Sequence, residues 1–127
     1  MSQSETTEGD PVKLHREGTA LYDTGNYREA IDKFLEASKL YEKIQNFFDA
    51  SYTLYKAAEC TYLLKEYGTA TERFLKAADL AFKRGFDRFG ISALEYAHDC
   101  YKAVGEEEKA AELKKKIKEL KENLPVL

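Results

Sequence analysis

The stretch AIDKFLEASKL, residues 30–40, recurs forty residues later as ATERFLKAADL, residues 70–80, and a third time as AAELKKKIKEL, residues 110–120. The same register continues outside this stretch. It aligns a column of leucines, a column of small residues and a pair of tyrosines: Leu14, Leu54 and Leu94; Ala20, Cys60 and Cys100; Tyr27 and Tyr67. A register that holds without a gap through all the copies predicts three copies of one 40-residue structural unit.

Each copy contains two stripes of apolar residues at helical spacing, separated by a turn. The pattern therefore predicts six helices in three antiparallel pairs, over about residues 11–46, 47–86 and 87–124. The predicted turns within the pairs lie at Gly25-Asn26, Glu66-Tyr67-Gly68 and Gly105. Residues 1–10 are predicted to be a disordered tail, and residues 125–127 a short C-terminal tail.

Several polar residues are predicted to fix the helix ends. Asp10 followed by Pro11 is typical of a helix start. Asn26 with Glu29, and Thr69 with Glu72, have the spacing of capping boxes. The dipeptide at 45–46 (Gln-Asn) is expected to supply a left-handed helix end.

Small residues explain how two helices of a pair can pack closely. Gly18, Ala20, Ala30 and Ala37 put no bulk where the helices cross, whereas large residues such as Phe34 fill the space between pairs. One pair alone cannot bury both of its faces, so the pairs must stack. The fold class predicted from the sequence is all-α, a stack of three antiparallel helix pairs.

Composition excludes several classes of protein. The net charge of −3 lacks the basic excess of a nucleic-acid binder, and no apolar run approaches the ~18 residues of a membrane span. The N-terminus does not resemble a signal peptide. Two cysteines are too few for a disulfide scaffold, which favours a cytoplasmic protein with reduced thiols. The excess of Lys and Glu over Arg and Asp favours helices and also occurs in thermophile proteins.

The ladder of small and large residues resembles the tetratricopeptide repeat (TPR). In the first copy it comprises Leu14, Gly18, Leu21, Gly25, Tyr27, Ala30, Phe34, Ala37 and Leu40. The second copy keeps most of it, whereas the third places His98, Glu107 and Lys114 at three of its positions. The 40-residue period is longer than the usual 34, as in the extended subgroup that includes the soluble attachment proteins of vesicle fusion. The resemblance implies a right-handed superhelical stack.

The resemblance also implies where a partner binds, since the first helix of each TPR pair lines a concave groove. Carried over by position, the expected groove residues are His15, Arg16, Thr19, Tyr22, Tyr52, Tyr55, Lys56, Glu59, Tyr62, Glu95, Tyr96 and Asp99. Three of them, Tyr52, Tyr55 and Tyr62, fall on one helical stripe. They are either an aromatic binding strip or partly core. Because Leu54 and Ala58 occupy the opposite face, at least two of these tyrosines are expected to face solvent.

The predicted function is a scaffold or adaptor that binds a peptide or helix of another protein in this groove. The mixed groove charge favours a basic or neutral partner segment beside an apolar anchor over a polyanion. The alternative is a homo-oligomeric assembly subunit, in which the last helix contacts a second copy through Leu124, Val126 and Leu127. No acid–base pair, nucleophile, metal cluster or phosphate loop is recognisable. We therefore expect no enzymatic activity, no cofactor and no metal.

Overall fold

The structure, a computed structural model that describes residues 9–125, contains six α-helices in that range. They are α1 (Pro11–Asp23), α2 (Tyr27–Lys43), α3 (Phe47–Leu63), α4 (Tyr67–Lys83), α5 (Asp87–Ala103) and α6 (Glu107–Glu122). Each helix packs against the helix before it and the helix after it along the chain. The predicted all-α stack of antiparallel pairs is confirmed. The predictions for residues 1–8 and for Val126 and Leu127 lie outside the described residues.

The five turns between these helices share one geometry. The residues at 25, 45, 65, 85 and 105 all have a left-handed backbone, with φ between 64° and 80°. In each turn, the backbone N–H of the following residue donates to the carbonyl five residues earlier, at 2.8 to 3.1 Å. This is the Schellman motif, which satisfies a free carbonyl at the end of a helix. The extra length of the 40-residue repeat therefore lies in its helices, because α2 to α5 have 17 residues each and the turns have three.

The predicted helix ends are correct in part. Asp10 Oδ1 accepts a hydrogen bond from the backbone N–H of Val12 at 2.9 Å, as expected for a cap. The box at Asn26 is wrong, since the Asn26 side chain makes no capping bond and instead donates to Thr24 Oγ1. The box at Thr69 is also wrong, because α4 already begins at Tyr67 and its turn is centred on Lys65. The side chain of Asn46 does cap a helix, α3, by accepting from the N–H of Asp49.

The core runs within and between the helix pairs and is built from alanines around large side chains. Phe34 and Phe74 are fully buried, and both belong to second helices. The crossing of α1 and α2 is so close that a Cβ atom on Gly18 would lie 2.8 Å from the Phe34 ring. Hydroxyl groups also join neighbouring pairs: Ser38 Oγ donates to the Ala50 carbonyl at 2.7 Å, from α2 to α3. This bond ties the first pair to the second.

Candidate protein-binding face

Aromatic side chains connect the three first helices, α1, α3 and α5, into one surface that we call the aromatic face. It comprises His15, Phe48, Tyr52, Tyr55, Tyr62, Phe86, Phe89 and Tyr96. Tyr55 lies at its centre, with its ring centroid 5.0 Å from that of Phe89 and 5.7 Å from that of Tyr96. His15 of α1 reaches Tyr52 of α3 at 5.7 Å. The structure therefore brings five of the expected groove residues together with three phenylalanines.

The expectation that at least two of the strip tyrosines face solvent is met only in part, because Tyr52, Tyr55 and Tyr62 are all half-buried. Tyr55 also packs edge-on against the buried Phe74, at 5.6 Å between centroids. Burial, with a smaller contribution from the Glu59 carboxylate, raises the pKa of Tyr55 well above its usual value. The tyrosines therefore cover the core and also form part of the surface. Replacing them would therefore change the stability of the fold.

The three phenylalanines were not expected from the sequence. Phe48 and Phe86 are 42% and 38% exposed, with ring centroids 4.9 Å apart, and Phe89 lies beside them. With residues 124–125 they line an open cleft of about 330 Å³. Phe48 precedes Tyr52 by four positions, which places both on one side of α3. That spacing was available as a signal, but Phe86 lies in a turn, where helical periodicity cannot place it.

Beside the aromatic face, three of the expected groove residues contact one another. Lys56 Nζ lies 2.8 Å from the Glu59 carboxylate and 4.1 Å above the centre of the Tyr22 ring. Burial lowers the pKa of Lys56, but the hydrogen bond and charge of Glu59 outweigh it and leave the pKa raised. Lys56, Glu59 and Tyr22 are therefore held as one cluster. A cation engaged in this way offers little to an anionic ligand.

The remaining expected groove residues lie at the two ends of the stack. Arg16 and Thr19 are exposed on α1, and Thr19 Oγ1 donates to the carbonyl of His15 at 3.0 Å. At the other end, Glu95 forms a 2.7 Å ion pair with Lys121, and Asp99 lies 3.3 Å from His98 Nδ1. Glu95 and Asp99 border a separate groove between α5 and α6. The twelve expected residues are thus divided among the aromatic face, the Lys56 cluster beside it and two outer surfaces.

The cysteines have the structural role that the repeat alignment predicts. Cys60 and Cys100 are both buried and unpaired. Burial raises the pKa of Cys60 to about 11, which disfavours the reactive thiolate. Within residues 9–125, His, Cys, Asp and Glu side chains form no group able to hold a metal ion. Across the same residues, every helix is too short or too polar to cross a membrane.

The antiparallel helix pairs, the 40-residue repeat and the small-residue crossings define a helical-repeat protein of the TPR-like class. The family model of the soluble NSF attachment protein, SNAP, matches residues 13–125, from the first turn of α1 to beyond the end of α6. The chain belongs to this family, whose members are adaptors and not enzymes. Neither a curated protein nor a solved structure matches the chain.

Proposed function

We propose that this chain is an adaptor that holds a helix or an extended segment of a partner protein against the aromatic face. The observation that supports this most directly is the exposed pair Phe48 and Phe86, which continues into the half-buried tyrosines. Rigid aromatic side chains supply contact area at low entropic cost and are enriched among binding hot spots. The family is named for attachment to NSF, so NSF is the first partner to test.

The charges of the face favour a partner segment with an apolar anchor. Lys56, which lies over the Tyr22 ring, is paired with Glu59. An acidic segment would have to break this ion pair, and the desolvation would cost more than an exposed contact returns. We therefore propose a neutral or basic partner segment whose apolar side chains enter the cleft beside Phe48 and Phe86.

The double variant Phe48→Ser/Phe86→Ser tests this proposal. We expect it to weaken binding of purified NSF by at least about thirtyfold, the loss of one strong hot spot. The matched control is Ile44→Ser/Val104→Ser, which removes two apolar side chains that are 65% and 48% exposed at the ends of α2 and α5 and make none of the ring contacts of the aromatic face. Isothermal titration calorimetry measures both affinities, and melting temperatures check that both variants fold. Equal losses in the two variants would refute a specific role for the aromatic face.

We also propose that the protein acts in the cytoplasm. The support is that both thiols are buried and unpaired, which suits a reducing compartment. Fractionation of cells that produce the full chain tests this directly. Recovery from the secreted fraction would contradict it.

A further inference from the structure

A groove of about 920 Å³ opens between α5 and α6. One wall consists of Glu95, His98 and Asp99 on α5. The other consists of residues of α6, including Lys115 and Lys118. This groove lies at the C-terminal end of the stack, apart from the aromatic face. The proposed function of the aromatic face does not depend on it.

The repeat reveals what occupies the equivalent grooves elsewhere. Subtracting forty from 111, 115, 118 and 122 gives residues 71, 75, 78 and 82 of α4, and subtracting eighty gives residues 31, 35, 38 and 42 of α2. At two of these positions, Ser38 of α2 and Phe82 of α4, the side chain contacts the first helix of the next pair. Ser38 donates to the Ala50 carbonyl of α3, and the Phe82 ring lies so close to Gly90 of α5 that a Cβ there would be 2.7 Å away. Two of the three equivalent grooves therefore hold a helix, and no described helix fills the third.

The groove between α5 and α6 has an apolar floor, but lysines stand on its rim where α2 and α4 have uncharged residues. Ile117, which is 7% exposed, and the exposed Ala111 line it. Lys115 replaces Leu35 and Leu75, and Lys118 replaces Ser38 and Ala78. Both lysines are exposed, whereas Lys121 in the same groove is paired with Glu95. The groove thus combines the shape of a helix-binding surface with a basic rim on the α6 side.

We propose that this groove binds an amphipathic helix of a partner protein that has small apolar residues on one face and carboxylates along the edge facing α6. The incoming helix would lie as α3 lies on the first pair and α5 on the second. Its carboxylates would meet Lys115 and Lys118, and its apolar stripe would cover Ile117. A charged rim of this kind selects the partner and accelerates association more than it adds affinity.

The probe is a pair of synthetic helical peptides of about 20 residues that share one Ala/Leu stripe, with Glu on the flanks of one and Lys on the flanks of the other. We expect the full chain to bind the Glu peptide at least about tenfold more tightly at low salt, with the difference shrinking as salt screens the charges. Lys115→Glu/Lys118→Glu should reverse this preference. The control Lys109→Glu/Lys116→Glu changes two exposed lysines of the same helix that do not line the groove, and should leave the preference unchanged. Fluorescence anisotropy measures all of these affinities.

Each other outcome overturns the proposal. Equal affinity for both peptides, or the same loss in the control variant, removes the role of the groove. Self-association in sedimentation that Lys115→Glu/Lys118→Glu abolishes would assign the groove to a second copy of the chain. Binding to anionic vesicles that the same variant abolishes, without peptide binding, would assign it to a membrane surface. Phe48→Ser/Phe86→Ser should bind the Glu peptide as the unchanged chain does. This measurement distinguishes a failure of the groove proposal from a failure of the proposal for the aromatic face.

Discussion

Helices α4 and α6 hold the same place in the repeat, as second helices of the second and third pairs, yet they differ in what they bury. Seven residues of α4 are buried, but only Ala110, Leu113 and Ile117 of α6. The difference is concentrated where a following pair would pack. Thr71 and Ala78 of α4 are buried there, whereas Ala111 and Lys118 of α6 are exposed. One template therefore serves as a central layer when both faces are apolar and as the last described layer when one face is polar.

The largest difference in stability is expected between substitutions at two equivalent positions, Phe74 of α4 and Lys114 of α6. Phe74 is fully buried, so Phe74→Ala should lower the free energy of unfolding by about 3–5 kcal/mol through lost burial and the cavity left behind. Lys114, forty residues later, is exposed, and Lys114→Ala should change it by less than about 0.5 kcal/mol. Urea denaturation followed by circular dichroism measures both. Similar losses would mean that α6 is part of the core in the same way as α4.

The second largest effect is expected at Gly18 of α1, which lies against Phe34 of α2. Gly18→Ala should cost about 1–3 kcal/mol, because the new Cβ would lie 2.8 Å from the ring of Phe34, which is fully buried and has little room to move. In the third pair Lys114 replaces the phenylalanine, and His98 occupies the position of Gly18. His98→Ala should therefore cost less than about 1 kcal/mol. A neutral Gly18→Ala would show that the Phe34 ring can shift, and that the glycine is not required for packing.

The sequence predicts the fold well because the repeat makes each position visible three times. The column of Phe34, Phe74 and Lys114 identifies a core position that the third copy does not keep, and the structure agrees, since both phenylalanines are buried and Lys114 is exposed. The capping boxes at Asn26 and Thr69 were wrong for a shared physical reason. The backbone turn closes each helix with its own hydrogen bonds and sets where the next helix begins, so the side chains are not needed there.

The candidate site was less predictable, since it depends on contacts between helices. Helical spacing placed Tyr52, Tyr55 and Tyr62 on one stripe but could not reveal that Phe74 and Phe89 lie against Tyr55. It also could not show that Lys56 is paired. Phe86 joins the face only because the turn before α5 approaches the start of α3. Such proximity follows from how the pairs stack, which the pattern of one helix does not contain.

The turns give a smaller effect that also separates the second and third pairs. Lys65 holds a left-handed φ of 64° in the turn of the second pair, where the third pair has Gly105. Residues with a side chain are strained in this region, so Lys65→Gly should stabilise the protein by up to about 1 kcal/mol, and Gly105→Ala should destabilise it by a similar amount. Thermal unfolding of both variants measures these shifts, which should be opposite in sign. Destabilisation by Lys65→Gly would mean that the added freedom of the unfolded chain outweighs the relief of strain.

The smallest effect is a pH dependence located in the first pair, where His15 stands at the position of Tyr55 and Glu95. Burial lowers the pKa of His15 below its usual 6.5, the Asp49 carboxylate opposes this shift, and Lys56 adds to it. Since the unfolded chain then binds a proton more readily than the folded protein, stability should fall as the pH drops through 6.5 and level off below the folded pKa. His15→Gln should remove this part of the decline, while the decline at lower pH caused by carboxylates should remain. Urea midpoints between pH 5 and 8 measure the difference (a range chosen about the usual His pKa). An unchanged slope in His15→Gln would mean that the sensitivity does not arise at this end of the aromatic face.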